Sequence, residues 1–135
     1  MKNLSELLDQ QASNIPNKIY LSNLNDSYSF SEFNILVNKC CNLFKKLGIS
    51  DKDVISICLS NRLEFLILYF ASIRFGSIFF LISTNDTLTQ IESKMKNVKS
   101  KIIFYDNISK FTSIKSEFKS IFSKRPTVNI HINRV

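Results

Sequence analysis

The sequence predicts an α/β fold: a crossover parallel sheet of the βαβαβ kind, preceded by a helix and a short hairpin. Three observations carry that expectation. Three short apolar runs, VISICL (54–59), SIFFLI (77–82) and KIIFY (101–105), start 23 and 24 residues apart. Each is too short for a helix, rich in branched or aromatic side chains, and apolar continuously rather than alternately, as a strand covered on both faces is. The stretches between them carry helical signals, and strand–helix–strand–helix–strand at this spacing is a doubly crossed-over unit, right-handed by the general rule.

The elements follow in order. Asn3 and Glu6 form an Asn-x-x-Glu capping box, so a first helix starts there, with Leu4, Leu7 and Leu8 as its expected apolar stripe. Asn14 to Asn17, around Pro16, ends it. KIYLS (18–22) and SYSF (27–30) read as two short strands about a turn at Asn23–Asp26. Ser29 and Glu32 make a second capping box, and Phe33, Leu36, Val37, Cys40, Phe44 and Leu47 keep to one helical face. Gly48 lies just past the last periodic residue, where a left-handed closing residue is wanted. An apolar helix over Asn61–Phe75 and an amphipathic one with Leu88, Ile91, Met95 and Val98 in register fill the two crossovers; Thr87 and Gln90 suit the cap of the latter. A basic amphipathic segment follows, with Ile108, Phe111, Ile114, Phe118, Ile121 and Phe122 as its stripe and Lys110, Lys115, Lys119 and Lys124 away from it. TVNIHI (127–132) reads as one more strand.

The tract from Leu63 to Ile82 holds only two charges, Glu64 and Arg74, and invites comparison with a membrane span. Arg74 near the centre of a span adds about 2.5–3.5 kcal/mol to insertion, and Glu64 adds more. A single span also leaves the two matching strands unexplained. The tract is expected to be a helix closed by Gly76 and followed by a strand, both buried.

Length and composition bound the rest. The chain of 135 residues, 44% apolar and 21% charged, is one domain's worth of ordinary globular sequence. Two glycines and two prolines leave no linker, and no repeat signals a solenoid. The N-terminus has acidic residues and no continuous apolar run, unlike a secretory signal. Cys40, Cys41 and Cys58 are odd in number and lack metal-ligand spacing, so buried free thiols in a reducing cytoplasm are expected. Residues 1–93 carry eight Lys/Arg against nine Asp/Glu, whereas residues 94–135 carry ten against two. Such asymmetry marks a nucleic-acid or anionic-membrane surface in some proteins. The aromatics of the basic segment lie in its apolar stripe rather than among its charges, which disfavours nucleic acid. A helix packed on the sheet with its lysines in water, or one lying on an anionic membrane, both remain open.

Little catalytic chemistry shows itself. Parallel sheets bind ligands beyond the carboxyl ends of their strands, but the loop after the first of these strands reads SNRLE and has no glycine. Without one, backbone amides cannot approach a phosphate unobstructed, so no nucleotide cradle is expected. The one histidine, His131, has no evident Ser, Cys or carboxylate partner. Asn61 is placed either to touch a ligand or to cap a helix with Glu64 behind it. Asp51 and Asp53 are close enough for a metal, yet a turn between Gly48 and the strand accounts for them, and no ion is expected. No catalytic, cofactor-binding or metal-binding residue is assigned.

Read in order, these landmarks resemble the N-terminal part of the adenylate-forming (AMP-binding) superfamily: acyl-CoA and aryl-CoA synthetases, peptide-synthetase adenylation domains and luciferases. NIPNKIYL is similar to its Pro-x-Lys-x-Ala-Leu opening, and SYSFSEFNILVNKCCNLFKKLGI to its Thr-Tyr-x-Glu-Leu entry and the helix ending in Leu-Gly-Val. DKDV, NRLEF and ASIRFG resemble the Asp-x-Val before a strand, the Asn-x-x-Glu-Phe opening a helix, and the Ala-x-x-x-x-Gly closing it. The likeness spans about residues 4–105. Lys52 stands where the family commonly has a Gly, and Leu81 where a Pro normally ends the strand. The resemblance implies a single partial domain over 1–135, an incomplete N-terminal subdomain. It implies a parent that forms an acyl-adenylate from a carboxylic acid and passes it to a thiol, with ATP and Mg expected only for that full-length parent. The family's phosphate loop, ribose motif, hinge and catalytic Lys correspond to no position here. The chain is therefore expected to be scaffold without turnover alone, cytoplasmic, prone to self-association, and completed by the missing remainder or a complementing subunit. The alternative is a small interaction or anionic-membrane-surface module acting through residues 94–135.

Overall fold

Helix α1 (Leu4–Asn14) starts where Asn3 Oδ1 accepts the Glu6 amide (2.9 Å) and Glu6 reaches back to the Asn3 amide (3.2 Å). The same reciprocal cap, from Ser29 and Glu32, opens helix α2 (Phe30–Lys46), and from Thr87 and Gln90 opens α4 (Leu88–Asn97). Each box satisfies two amides that the first turn leaves without intrahelical partners. The computed structural model describes residues 3–22, 27–59, 63–106 and 129–132.

Between α1 and α2 lies an antiparallel pair, β1 (Ile19–Ser22) and β2 (Ser27–Ser29), with a bulge between Ile19 and Leu21. The expected turn at 23–26 lies outside the described residues. Beyond α2 the chain builds a four-stranded sheet in the order β4 (Ile78–Leu81), β3 (Val54–Cys58), β5 (Ile102–Tyr105), β6 (Asn129–Ile132). β3 pairs parallel with both β4 and β5, the two crossovers being α3 (Leu63–Phe75) and α4. β6 pairs antiparallel with β5, setting His131 beside Ile103.

The tract 63–82 turns at its glycine. α3 ends at Phe75, Gly76 takes φ 87, and its amide bonds back to the Ser72 carbonyl (3.1 Å) before β4 begins. Gly48 closes α2 the same way at φ 77. Both positions need the left-handed region that a Cβ disfavours. Among the described residues no helix is long and apolar enough to cross a membrane.

The sheet is a middle layer. On one face Ile55 and Ile57 of β3 and Ile102 and Phe104 of β5 pack against Leu8, Phe33, Val37, Cys40, Phe44, Ile67, Leu68 and Ala71 of α1, α2 and α3. Aromatic rings knit that layer: Phe44 sits 5.6 Å from Phe75 and 5.9 Å from Phe104, and Phe33 sits 5.5 Å from Phe70. The opposite face carries Cys58, Ile82, Ile103 and Tyr105 against Ile91 and Met95 of α4. Within that second layer the buried hydroxyls of Ser56 and Ser100 meet at 2.6 Å, and Ser100 donates to the Ile102 carbonyl (2.9 Å). With the Ser100 proton so directed, Ser56 supplies the hydrogen bond between them.

Two expectations need correction. Leu4 and Leu7 are not core: they are 48% and 44% exposed, and α1 instead buries Leu8 with Ser5. A charged partner on α3, rather than leucine spacing, sets which face of α1 turns inward. The second concerns β4. Its apolar run suggested cover on both faces, which holds for β3 and β5, yet Ile78 and Leu81 are 50% and 54% exposed. β4 lies at the edge of the sheet: Phe79 still meets Tyr69 (5.0 Å) and Phe65 (5.7 Å) of α3, and Phe80 packs on the layer under α4, but Ile78 and Leu81 are left at the margin.

Candidate functional site

The topology defines one place where a ligand crevice belongs. From β3 the chain moves out to β4, then crosses back over β3 to β5, so the direction of winding reverses between β3 and β5. Ligands of open parallel sheets sit outside the carboxyl ends of the strands flanking such a reversal. Here those ends are closed by side chains. Cys58 and Tyr105 stand opposite each other in register and each is 2% exposed; Cys58 donates its thiol proton to the Ser83 carbonyl at 3.7 Å. Leu59, also buried, follows β3, and Asp106 follows β5. Asn61, the residue placed to cap α3 or meet a ligand, lies outside the described residues. Glu64 in the first turn of α3 is 1% exposed.

A second site gathers on the helical face, around Arg74. Its guanidinium donates from Nε to Ser5 Oγ (2.6 Å), from Nη2 to the Ser5 carbonyl (3.0 Å) and from Nη1 to Asn38 Oδ1 (2.8 Å). It thereby forms a ridge between two open grooves. One, of about 330 Å³, is lined by Asn3, Ser5, Glu6, Asp9, Asn38 and Arg74. The other, of about 530 Å³, is lined by Asn38, Cys41, Asn42, Lys45, Arg74 and Phe75. All three guanidinium nitrogens are committed to Ser5 and Asn38, so the cation serves as a clamp across α1, α2 and α3. The spacing of Ser5, Asn38 and Arg74 along the chain gave no hint of this meeting. The available signal was a lone guanidinium in an apolar helix, which must find partners wherever the fold supplies them.

Cys41, half-buried in the second groove, donates weakly to the Ala71 carbonyl at 3.6 Å. Burial raises its thiol above the ordinary value, outweighing the nearby Arg74 and Lys45, which pull it down. Full burial, aided by neighbouring Cys41, pushes Cys40 well above its ordinary value. Both are thiols rather than thiolates at neutral pH, which makes them poor nucleophiles. Cys40, Cys41 and Cys58 are free, as the sequence suggested.

The acidic pair before β3 forms the expected turn: Asp53 Oδ2 accepts the Ser50 amide at 2.7 Å. Lys52 within it takes φ 68, and its amide donates to the Gly76 carbonyl at 2.8 Å. A glycine suits that backbone better than a lysine. Among the described residues no group of three or more His, Cys, Asp or Glu converges. The imidazole of His131 and the basic segment 108–124 lie outside what is described. The chain's two glycines both close helices, so neither offers the turn in which backbone amides approach a triphosphate.

A helix, a hairpin and a helix laid over a parallel sheet whose winding reverses at its first strand define an α/β chain of the kind found at the start of adenylate-forming enzymes. A sequence model of the AMP-binding enzyme family matches residues 8–134, and the chain belongs to that family. Among curated proteins it is similar to the long-chain-fatty-acid–CoA ligase FadD13 of Mycobacterium tuberculosis, 25% identical over 107 residues. That match takes in 78% of this chain and 21% of the relative, so the chain spans about a fifth of the length of the curated relatives it matches. Among solved structures, the N-terminal domain of FACL13 from M. tuberculosis superposes with a TM-score of 0.78 at 23% identity, covering 84% of this chain and 30% of that one. The N-terminal subdomain of Klebsiella oxytoca NpsA in complex with 3-hydroxyanthranilyl-AMSN gives 0.74 at 13% identity, covering 81% and 28%. These likenesses establish the fold.

Proposed function

We propose that this chain is an N-terminal piece of an AMP-forming acid–thiol ligase, acting as scaffold for chemistry whose groups lie elsewhere in the parent enzyme. The observation that carries the reading is the family match over residues 8–134 combined with coverage of only 21% of the ligase it resembles. The parent activates a carboxylic acid with ATP and Mg to an acyl-adenylate and passes it to a thiol, as acyl-CoA synthetases and adenylation domains do. The partner of this piece is the remainder of such a ligase or a complementing subunit. Its compartment is the cytoplasm, which suits three free thiols.

The test is ATP–pyrophosphate exchange on the purified chain with a panel of fatty and aryl acids. No exchange is expected from the chain alone. Exchange above a heat-denatured control overturns the scaffold reading.

A further inference from the structure

We infer that the outer edge of β4 is a self-pairing surface, joining two copies of this chain into one continuous eight-stranded sheet about a two-fold axis. The amide of Ile78 donates to the Asp53 carbonyl (2.8 Å) and that of Ile82 to the Ile57 carbonyl (2.9 Å), so even-numbered residues of this stretch face β3. In a parallel ladder the donor and acceptor of each residue point the same way, which turns those of Phe79 and Leu81 outward. Among the described residues no strand lies beyond them. Edge strands are ordinarily guarded by a proline, a lysine, a bulge or an inward charge, and Ile78-Phe79-Phe80-Leu81 has none of these.

The edge complements itself. Antiparallel pairing centred on Phe80 sets Phe79 of one copy opposite Leu81 of the other, so that each couple exchanges both hydrogen bonds and four outward groups per copy are satisfied. The same register brings Leu81, 54% exposed, against the half-buried ring of Phe79 on one face, and sets the half-buried Phe80 rings of the two copies beside each other on the other. No charge on the strand opposes a like charge. A seam of four residues buries well under the roughly 800 Å² per partner of a standard stable interface. The association is therefore concentration-dependent, with dissociation in the range of tens to hundreds of micromolar rather than nanomolar.

Sedimentation over a hundredfold concentration range, with hydrogen exchange read at both ends, tests this. The expected result is a monomer–dimer equilibrium in which the Phe79 and Leu81 amides gain protection on dimerisation while the Phe80 amide, already bonded to β3, does not change. Leu81→Lys, at an exposed position, is expected to weaken dimerisation about tenfold or more without altering the far-UV spectrum. A chain that stays monomeric throughout overturns the inference. So does a dimer in which the Phe79 and Leu81 amides exchange as fast as in the monomer, or one indifferent to Leu81→Lys.

Discussion

Replacing Arg74 with methionine keeps the apolar stem and deletes the guanidinium fork. Three hydrogen bonds go: two to Ser5 and one to Asn38. Ser5 is 2% exposed, so its hydroxyl loses its partner in a place that water reaches poorly. Bonds from a charged donor contribute more than neutral ones, but the side chain is only partly buried and solvent screens it. Taking about 1 kcal/mol for each bond gives a loss of about 3 kcal/mol. Against a typical total of about 5–15 kcal/mol the protein still folds, but its melting temperature falls by roughly 12 °C. The loss is uneven, because this clamp, Leu8 and an exposed bond from Asn34 to Asp9 (3.1 Å) tie α1 to its neighbours, whereas α2 and α3 share an aromatic core. Urea denaturation should show the reduced midpoint, and hydrogen exchange should show α1 opening before the rest. Arg74→Lys supplies one ammonium for three acceptors and is expected to recover about a third of the loss. A change below about 1 kcal/mol for Arg74→Met, with α1 as protected as before, refutes the clamp.

Other outcomes follow from the same contacts. Lys52→Gly is expected to stabilise by about 0.5–1 kcal/mol, because the left-handed backbone at φ 68 costs a residue with a Cβ more than glycine's extra chain entropy; a lowered urea midpoint contradicts this. Phe44→Ala, at a fully buried ring that joins α2 to α3 and β5, is expected to cost about 3–5 kcal/mol, read by chemical denaturation. The raised thiols of Cys40 and Cys41 make stability pH-dependent in one direction. It is level below the ordinary thiol range, then falls as the unfolded chain loses those protons while the folded chain keeps them. Denaturation at pH 7 and pH 10 should show a larger drop for the wild type than for a Cys40→Ala, Cys41→Ala double variant; equal drops reject the assignment.

The parts of the fold legible in the sequence were those settled by near neighbours in the chain. Asn3 with Glu6, Ser29 with Glu32, and Thr87 with Gln90 all form the caps that their spacing announced. Gly76 ends α3, and three apolar runs become parallel strands, because turn chemistry and hydrophobic period are local. What stayed hidden was decided at long range. Leucine spacing on α1 placed Leu8 in the core correctly but Leu4 and Leu7 wrongly, since Arg74, 69 residues away, holds Ser5 inward. β4 has the composition of a central strand and the position of an edge one, and only the order of strands separates the two. The candidate site was least legible. Its crevice is a property of winding order, and the clamp at Arg74 is assembled from three helices.

The joined hydroxyls of Ser56 and Ser100 bear on how this family drifts. Altering Ser100 alone takes from the Ser56 hydroxyl the acceptor it meets in a dry layer, whereas altering Ser56 alone leaves Ser100 its bond to the Ile102 carbonyl. Two positions 44 residues apart in the chain are thus bound more strictly one way than the other. Across relatives a hydroxyl at position 56 should seldom occur beside an apolar residue at position 100, while the reverse pairing should be tolerated better.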